Sequence, residues 1–364
     1  MKNDVIFING RFLDHSITGV QCYSRELLNA LDDLLANNAI NPEKKRIHCL
    51  TPQKTLVNPG WNYIQVEKKG RFSGNLWEQI DLLFSSQTGL LFSPANSGPY
   101  FSKKQIVTIH DASIFSVRFA YSLPFQLKYR TMLNRLGRTS LKIITVSEFS
   151  RRELHHWCGI PDEKIEVIYE GKEHILRQPA DETVFSRFGI GERPFFLAVG
   201  SNSLRKNFSA AKRAFENAKF DNVDFVITGG SFPTIFKSSK EILPSSIRRT
   251  GYISYGELRA LYNRAIGLVY LSLYEGFGLP PLEAMACGCP VICSNAASLP
   301  EVCGDAAIYC FPNDIQEITR QMKHLVSEPS LRTKMQVKGL IQASKFTWRN
   351  AAEKTWKVIE KAQG

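Results

Sequence analysis

Tyr274-Glu275-Gly276-Phe277-Gly278-Leu279-Pro280-Pro281-Leu282-Glu283-Ala284-Met285-Ala286-Cys287-Gly288-Cys289-Pro290-Val291 decides how the rest of the chain is read. An apolar strand pattern at 268–271 precedes it, and a Gly-rich turn follows that strand. Two prolines then stand where a helix starts, at positions that tolerate a missing N–H. Gly288 ends that helix. The main-chain N–H groups of 276–279 and the helix N-terminus therefore face an anion such as a diphosphate. Glu275 lies before this anion site, and Glu283 lies in the first helical turn. Carboxylates accept hydrogen bonds from paired sugar hydroxyls, so two of them beside a diphosphate suit a sugar on one side and a ribose on the other. A bare pair of glutamates at this spacing would read as a solvated loop charge and a complement to the helix dipole. The whole block favours the ligand-binding reading.

Outward from this block, short apolar runs alternate with longer amphipathic ones. Strand patterns fall at 5–8, 90–92, 106–109, 143–146 and 165–168, then restart at 195–199 with others at 223–227 and 268–271. Helical patterns fill several of the intervals, among them 18–35, 208–218 and 255–265. Thr18 with Gln21, and Ser254 with Glu257, fit capping boxes. This alternation predicts an α/β chain with parallel sheets covered by helices on both faces. A length of 364 residues suits two domains. The stretch at about 170–193 mixes charge, Gly and Pro179, and it reads as the link between them.

Composition narrows the function. At 43% hydrophobic and 22% charged residues, a disordered or fibrous chain is excluded. The chain carries 46 Lys and Arg against 34 Asp and Glu, a net charge of +12 that favours an anionic partner. No run of about 18 apolar residues predicts a membrane span, and the N-terminus lacks the pattern of a signal peptide. The 8 cysteines make no C-x-x-C pair. They read as free thiols in a reducing cytoplasm, with Cys287 and Cys289 in an apolar helical segment. Residues 112–147 contain no acid but carry Arg118, Lys128, Arg130, Arg135, Arg138 and Lys142. Phe115, Phe119, Tyr121, Phe125, Tyr129, Met132, Leu133 and Leu136 are interleaved with them. Such a surface suits anionic lipid or a pyrophosphate-bearing substrate; an ordinary solvated helix face over a core stripe is the alternative.

The 274–291 block resembles the donor-binding signature of the retaining glycosyltransferases of glycosyltransferase family 4. Asn9-Gly10-Arg11-Phe12 with Thr18-Gly19-Val20-Gln21, Leu76-Trp77-Glu78-Gln79, Ser93-Pro94-Ala95-Asn96, His110-Asp111, Val146-Ser147-Glu148-Phe149-Ser150-Arg151 and Ser298-Leu299-Pro300-Glu301-Val302 extend the resemblance over nearly the whole chain. Together they look like the branch that builds bacterial surface polysaccharides, many of whose members use GDP-mannose. The resemblance implies the GT-B architecture, two doubly wound Rossmann-like domains facing across a cleft. It places an acceptor-binding domain at 1–172, a linker at 173–193, a nucleotide-sugar-binding domain at 194–345, and a C-terminal helix at 346–364 crossing back to the first domain. The implied reaction is retaining transfer of a hexose, mannose from GDP-mannose, to a growing surface polysaccharide or lipopolysaccharide O-antigen on polyprenyl diphosphate. A UDP-sugar or dTDP-rhamnose donor is the alternative.

Site residues follow from the same resemblance. Glu275 and His110 are expected to be catalytic, Glu275 on the transferred sugar and His110 polarising that sugar or its leaving phosphate. Glu283 is expected on the nucleotide ribose. Gly19, Ser201, Arg205, Lys206, Tyr252, Ile253, Gly276, Phe277, Gly278 and Leu279 are expected along the donor, and Trp77, Glu78 and Asn96 at the acceptor. Two positions depart from the family: Ser201 stands where an Arg is usual, so Arg205 is expected to supply that cation, and Cys22 stands where this branch often has an Arg. No Asp-x-Asp occurs, so neither metal nor cofactor is expected and the neutralising charge falls to Lys206, Arg205 and main-chain amides. The implied partners are a nucleotide-sugar, a lipid-linked saccharide and an anionic membrane surface, with no nucleic acid. The expected location is cytoplasmic, peripheral on the inner face of the cytoplasmic membrane. A Rossmann dehydrogenase would need G-x-G-x-x-G after a strand, which neither Gly200 nor Gly229-Gly230 provides. A nucleic-acid binder would explain the charge and leave the donor block without a purpose.

Overall fold

The computed structural model describes residues 5–41, 45–230, 244 and 246–363. It contains two compact units, one of Met1–Ala112, Lys128–Gly171 and Thr347–Gly364, the other of Ser113–Leu127 and Lys172–Phe346.

In the first unit the described strands are β1 (Val5–Asn9), β2 (Arg46–Thr51), β3 (Gln65–Lys68), β4 (Leu90–Ser93), β5 (Gln105–Thr108), β6 (Lys142–Thr145) and β7 (Ile165–Val167). They form a parallel sheet in the order β3-β2-β1-β4-β5-β6-β7. In the second unit β8 (Phe195–Val199), β9 (Asp224–Thr228), β10 (Ile247–Gly251), β11 (Gly267–Tyr270), β12 (Val291–Ser294) and β13 (Ile308–Cys310) form another, in the order β10-β9-β8-β11-β12-β13. Every pairing in it is parallel. Strand order reverses beside β1 and β4 in one sheet and beside β8 and β11 in the other. Loops leaving neighbouring strands diverge there and open a crevice beyond the strand C-termini.

Burial explains which strands could be read in advance. Phe195-Phe196-Leu197-Ala198-Val199 is buried along its whole length, as a central parallel strand covered on both faces must be. The sequence reading missed β2, β3, β10, β12 and β13. Charged residues interrupt β2 and β10, β3 is a polar edge strand, β12 begins on Val291, the last residue of the donor block, and β13 has only 3 residues.

Other expectations need correcting. The 173–193 stretch folds into the helices Glu173–Arg177 and Thr183–Phe188, both within the second unit. Residues Ser113–Leu127, expected in the first domain, group with the second, where the Arg118–Ala120 turn packs against the Leu204–Lys206 turn. Thr18 does not cap the main chain of the Gly19–Ala36 helix; its hydroxyl bonds the Gln21 side chain instead. Ser254 and Glu257 do form a reciprocal capping box. Cys287 and Cys289 lie beyond the Leu279–Ala286 helix, not inside it, and all eight cysteines are free. The apolar residues expected to line a lipid-facing surface are partly core, since Phe115, Tyr121, Met132, Leu133 and Leu136 are buried. Leu123 and Leu127 take the exposed position instead, 77% and 74% accessible beside the exposed Lys128.

The loops leaving β8 and β9 meet without room for a side chain. Gly200 N–H donates to Thr228 O at 3.0 Å. A Cβ on Gly229, at φ +135°, would lie 1.9 Å from the Gly200 carbonyl oxygen. Gly229→Ala is expected to destabilise the second unit by about 3 kcal/mol or more, from strain and overlap together. Ser254→Ala, which loses a cap, is expected to cost about 1 kcal/mol. Chemical denaturation of both variants checks the ranking; equal small losses would mean that the β8 and β9 loops are not in this contact.

Candidate functional site

At the β8–β11 switch point the second unit builds a buried ionic cluster from two loops. After β8 the chain turns through Leu204–Lys206 into the Phe208–Ala218 helix. After β11 it runs through Ser272 to Glu275, and Leu273 N–H donates to Arg205 O at 2.8 Å, joining the loops. Lys206 Nζ donates to Glu275 Oε1 at 2.7 Å and Arg205 Nη1 donates to the same oxygen at 2.9 Å. Arg205 Nη1 also reaches Tyr274 O at 2.9 Å. Lys206 donates to the Tyr270 hydroxyl and lies 4.8 Å above its ring. Lys206 is 8% and Glu275 7% exposed, so neither charge is tolerable without the other. Burial pushes the Glu275 carboxyl upward, but Arg205 and Lys206 outweigh it and hold the pKa down at about 2. Two cations and one carboxylate leave the cluster with one positive charge in excess, which suits a diphosphate.

The turn after Glu275 is shaped by packing. Ser298 Oγ donates to Glu275 O at 3.0 Å and Phe277 O at 2.6 Å. Gly278 precedes the helix at φ +118°, where a Cβ would come within 2.8 Å of Leu299 Cδ2. Phe277 and Leu279 are buried, with Phe277 edge-on to Phe346 at 5.8 Å. Their side chains are core, and what 276–279 can offer a ligand is main chain at the Leu279–Ala286 helix N-terminus. Glu283 is 5% exposed, its Oε1 2.7 Å from His174 Nε2 and its Oε2 3.1 Å from the Tyr262 hydroxyl. Ser201 lies in the loop after β8, its carbonyl accepting from Ser203 N–H at 2.7 Å. Tyr252 and Ile253 follow β10, Tyr252 62% exposed.

In the first unit, polar groups collect beyond the strand C-termini. His110 follows β5, its N–H donating to Asn96 Oδ1 at 2.7 Å, with Asn96 held at φ +55°. Its ring is buried edge-on to Tyr23 at 4.5 Å. His110 Nδ1 lies 3.3 Å from Glu170 Oε1, and Nε2 has no hydrogen-bond partner in the protein. Glu78 is the second residue of a turn of π-helix, Trp77–Leu82, and accepts from Asn9 Nδ2 and Ser97 Oγ, each at 2.7 Å, with Arg11 Nε at 3.4 Å. Trp77 does not present its ring to an acceptor. It is fully buried against Phe7, Leu50, Leu82 and Leu91, and its indole N–H donates to Lys69 O at 2.8 Å. Gly19 is the first residue of its helix, with open space where a Cβ would stand. Cys22 is buried, so a charged side chain at that position would need a partner.

The sequence reading did not anticipate His174, Tyr262, Tyr270 or Glu170 as neighbours of these groups. Tyr270 closes β11, a strand-end position that could have drawn notice. His174 and Glu170 lay in and beside a stretch read as a link, and Tyr262 in the buried stripe of a helix. Among the described residues no group of three or more His, Cys, Asp or Glu side chains could hold a metal ion.

Residues 181–340 match the family described as Glycosyl transferases group 1, and residues 42–173 match Glycosyltransferase Family 4. The chain is 31% identical over 271 residues to the O-antigen chain mannosyltransferase B of Escherichia coli, covering 71% of this chain and 70% of that one. The chain belongs to glycosyltransferase family 4. It is a hexosyltransferase, and its two parallel-sheet Rossmann-like units are the GT-B fold. A second E. coli relative, the serotype-specific mannosyltransferase WbdA, is 43% identical over 374 residues, which cover 95% of this family member and 43% of WbdA. This chain thus spans under half of that relative. Among solved structures, the sucrose-phosphate synthase of Thermosynechococcus elongatus shares the fold at a TM-score of 0.72 and 16% identity, covering 98% of each chain.

The cluster makes stability depend on pH. Glu275 is held at about 2 against an ordinary 4.5, so its contribution is present above the unfolded value and is lost as pH falls toward 2. Stability of the wild type minus that of Glu275→Gln is expected to be about 3 kcal/mol at pH 7. The gap shrinks between pH 4.5 and 2. Denaturant titrations across that range check it, and a gap independent of pH would remove the ion pairs from the account.

Proposed function

We propose that this hexosyltransferase is a retaining mannosyltransferase, moving mannose from GDP-mannose to a growing surface polysaccharide or lipopolysaccharide O-antigen carried on polyprenyl diphosphate. The observation that carries the donor half is the placing of Arg205, Lys206 and Glu275 together beside the N-terminus of the Leu279–Ala286 helix. In this reading Lys206 and Arg205 turn from Glu275 to the donor diphosphate and stabilise the charge that develops as it leaves. The main-chain N–H groups of 276–279 and the helix N-terminus take the remaining phosphate oxygens. Glu275, released from the cations, accepts hydroxyls of the transferred sugar, and Glu283 those of the ribose. Gly19, Ser201, Tyr252 and Ile253 complete the donor site. His110, held at Nδ1 by Glu170, offers Nε2 to the sugar or the leaving phosphate. Asn96 and Glu78 serve the acceptor, with Trp77 behind them. The relatives' names favour mannose, since O-antigen chain mannosyltransferase B and WbdA are both called mannosyltransferases.

Thermal-shift measurements with GDP, UDP, dTDP and ADP test the donor, because a nucleotide that binds only the folded state raises the melting temperature. GDP is expected to give the largest rise. Glu275→Ala is expected to lose nearly all transfer while still binding GDP, and wild-type turnover is expected to persist in EDTA. Full turnover in Glu275→Ala, or a UDP shift exceeding that of GDP, would overturn the corresponding assignment.

Attachment to the inner face of the cytoplasmic membrane belongs to the same reading. No helix among the described residues is long and apolar enough to cross a membrane. The exposed Leu123 and Leu127 stand next to Lys128 in the acid-free stretch, and Arg135 and Arg138 are exposed further along the same helix. Cations near an anionic surface contribute about 1 kcal/mol each. Reversing the charge of Lys128, Arg130 and Arg135 together is expected to reduce co-sedimentation with anionic vesicles at low salt and to spare transfer to a short soluble acceptor. Equal sedimentation of variant and wild type would make this an ordinary solvated face.

A further inference from the structure

Glu283 is not free to turn. His174 Nε2 lies 2.7 Å from one carboxylate oxygen, and the Tyr262 hydroxyl donates to the other at 3.1 Å while also reaching Pro280 O at 3.3 Å. All three side chains are buried, Glu283 at 5%, His174 at 3% and Tyr262 at 1% exposure. The imidazole is itself fixed edge-on to Tyr255 at 5.3 Å. Burial first, then the charge of Glu283, pushes the Tyr262 phenol well above its ordinary value, so it remains a donor. A carboxylate that only complements a helix dipole needs none of this; it sits in water over the first turn. Each carboxylate oxygen has two lone-pair sites. One protein donor on each oxygen fixes the plane of the group and leaves a site on each for two neighbouring hydroxyls.

We propose that His174 and Tyr262 are positioning residues that hold the Glu283 carboxylate in the plane that reads the paired 2′- and 3′-hydroxyls of the nucleotide ribose. The proposal rests on the assignment of Glu283 to the ribose made above. It gives His174 a task that its place in the chain conceals. The residue lies in the short Glu173–Arg177 helix, in the stretch by which the chain enters the second unit. Ribose recognition thus depends on a segment outside the donor block. Tyr262 comes from the buried side of the Tyr255–Arg264 helix, so three separate segments converge on one carboxylate.

The test compares GDP with 2′-deoxy-GDP and 3′-deoxy-GDP by calorimetry on the full chain. Wild type is expected to prefer GDP over each deoxy analogue by about tenfold or more, the value of a buried hydrogen bond to a charged group. Glu283→Ala is expected to abolish that preference. His174→Ala and Tyr262→Phe are expected to lower it to about twofold while changing affinity for the deoxy analogues little. His174→Gln, whose amide can donate to the same oxygen, is expected to restore most of it. Combined with Glu283→Ala, neither change is expected to lower the preference further. A merely structural role would weaken all three nucleotides alike and leave the ratio untouched. If Glu283→Ala loses the preference and both His174→Ala and Tyr262→Phe keep it, the positioning role is overturned and the ribose assignment stands. If Glu283→Ala keeps it, the ribose assignment itself fails and the positioning role with it. Should His174→Ala not fold, Tyr262→Phe removes a single oxygen atom and carries the same test.

Discussion

A carboxylate buried between two cations constrains the second unit more than any other interaction. Arg205 and Lys206 come from one loop and Glu275 from another, and each charge would cost several kcal/mol to bury alone. They are tolerable only together, so the ends of β8 and β11 must arrive side by side. The strand order provides that adjacency, with the two strands neighbours at the point where the sheet reverses. Much around them serves the same end. Leu273 ties one loop to the other, Ser298 holds the turn that follows, and the Gly200–Gly229 approach closes the floor beneath Lys206.

The first unit also gathers buried polar and charged groups at its switch point. Its switch point collects Asn9 and Ser93 at the ends of β1 and β4, and Glu78 is held there by Asn9, Arg11 and Ser97. His110, one strand over, is fixed through its main chain by Asn96 and through its ring by Glu170 and Tyr23. In both units the polar groups lie where parallel strands end, because helices cover the sheet faces and leave the loop ends to bind.

The sequence by itself determined the parts whose cause is local. A run such as 195–199 is apolar because it is buried on both faces, and Gly278-Leu279-Pro280-Pro281 starts a helix because its backbone preferences suit a helix N-terminus. Together with the strand–helix alternation they made the fold class legible, while the pairing of Lys206 with Arg205 was legible only through the resemblance to the family. Glu283, expected in the first helical turn, is the fifth residue of the Leu279–Ala286 helix and lies beyond that turn. Ser254 and Glu257 cap their helix as their spacing required. Edge strands were not legible, because β3 and β10 bury too little to impose an apolar run. Tertiary structure alone decided which residues meet. His174 reaches Glu283 across 109 positions and Lys206 reaches Glu275 across 69, separations at which no periodicity carries information. It also turned Trp77 inward, and it assigned residues 113–127 to the second unit through a turn-on-turn contact. Local patterning fixes where a helix or strand begins; only packing fixes what its side chains touch.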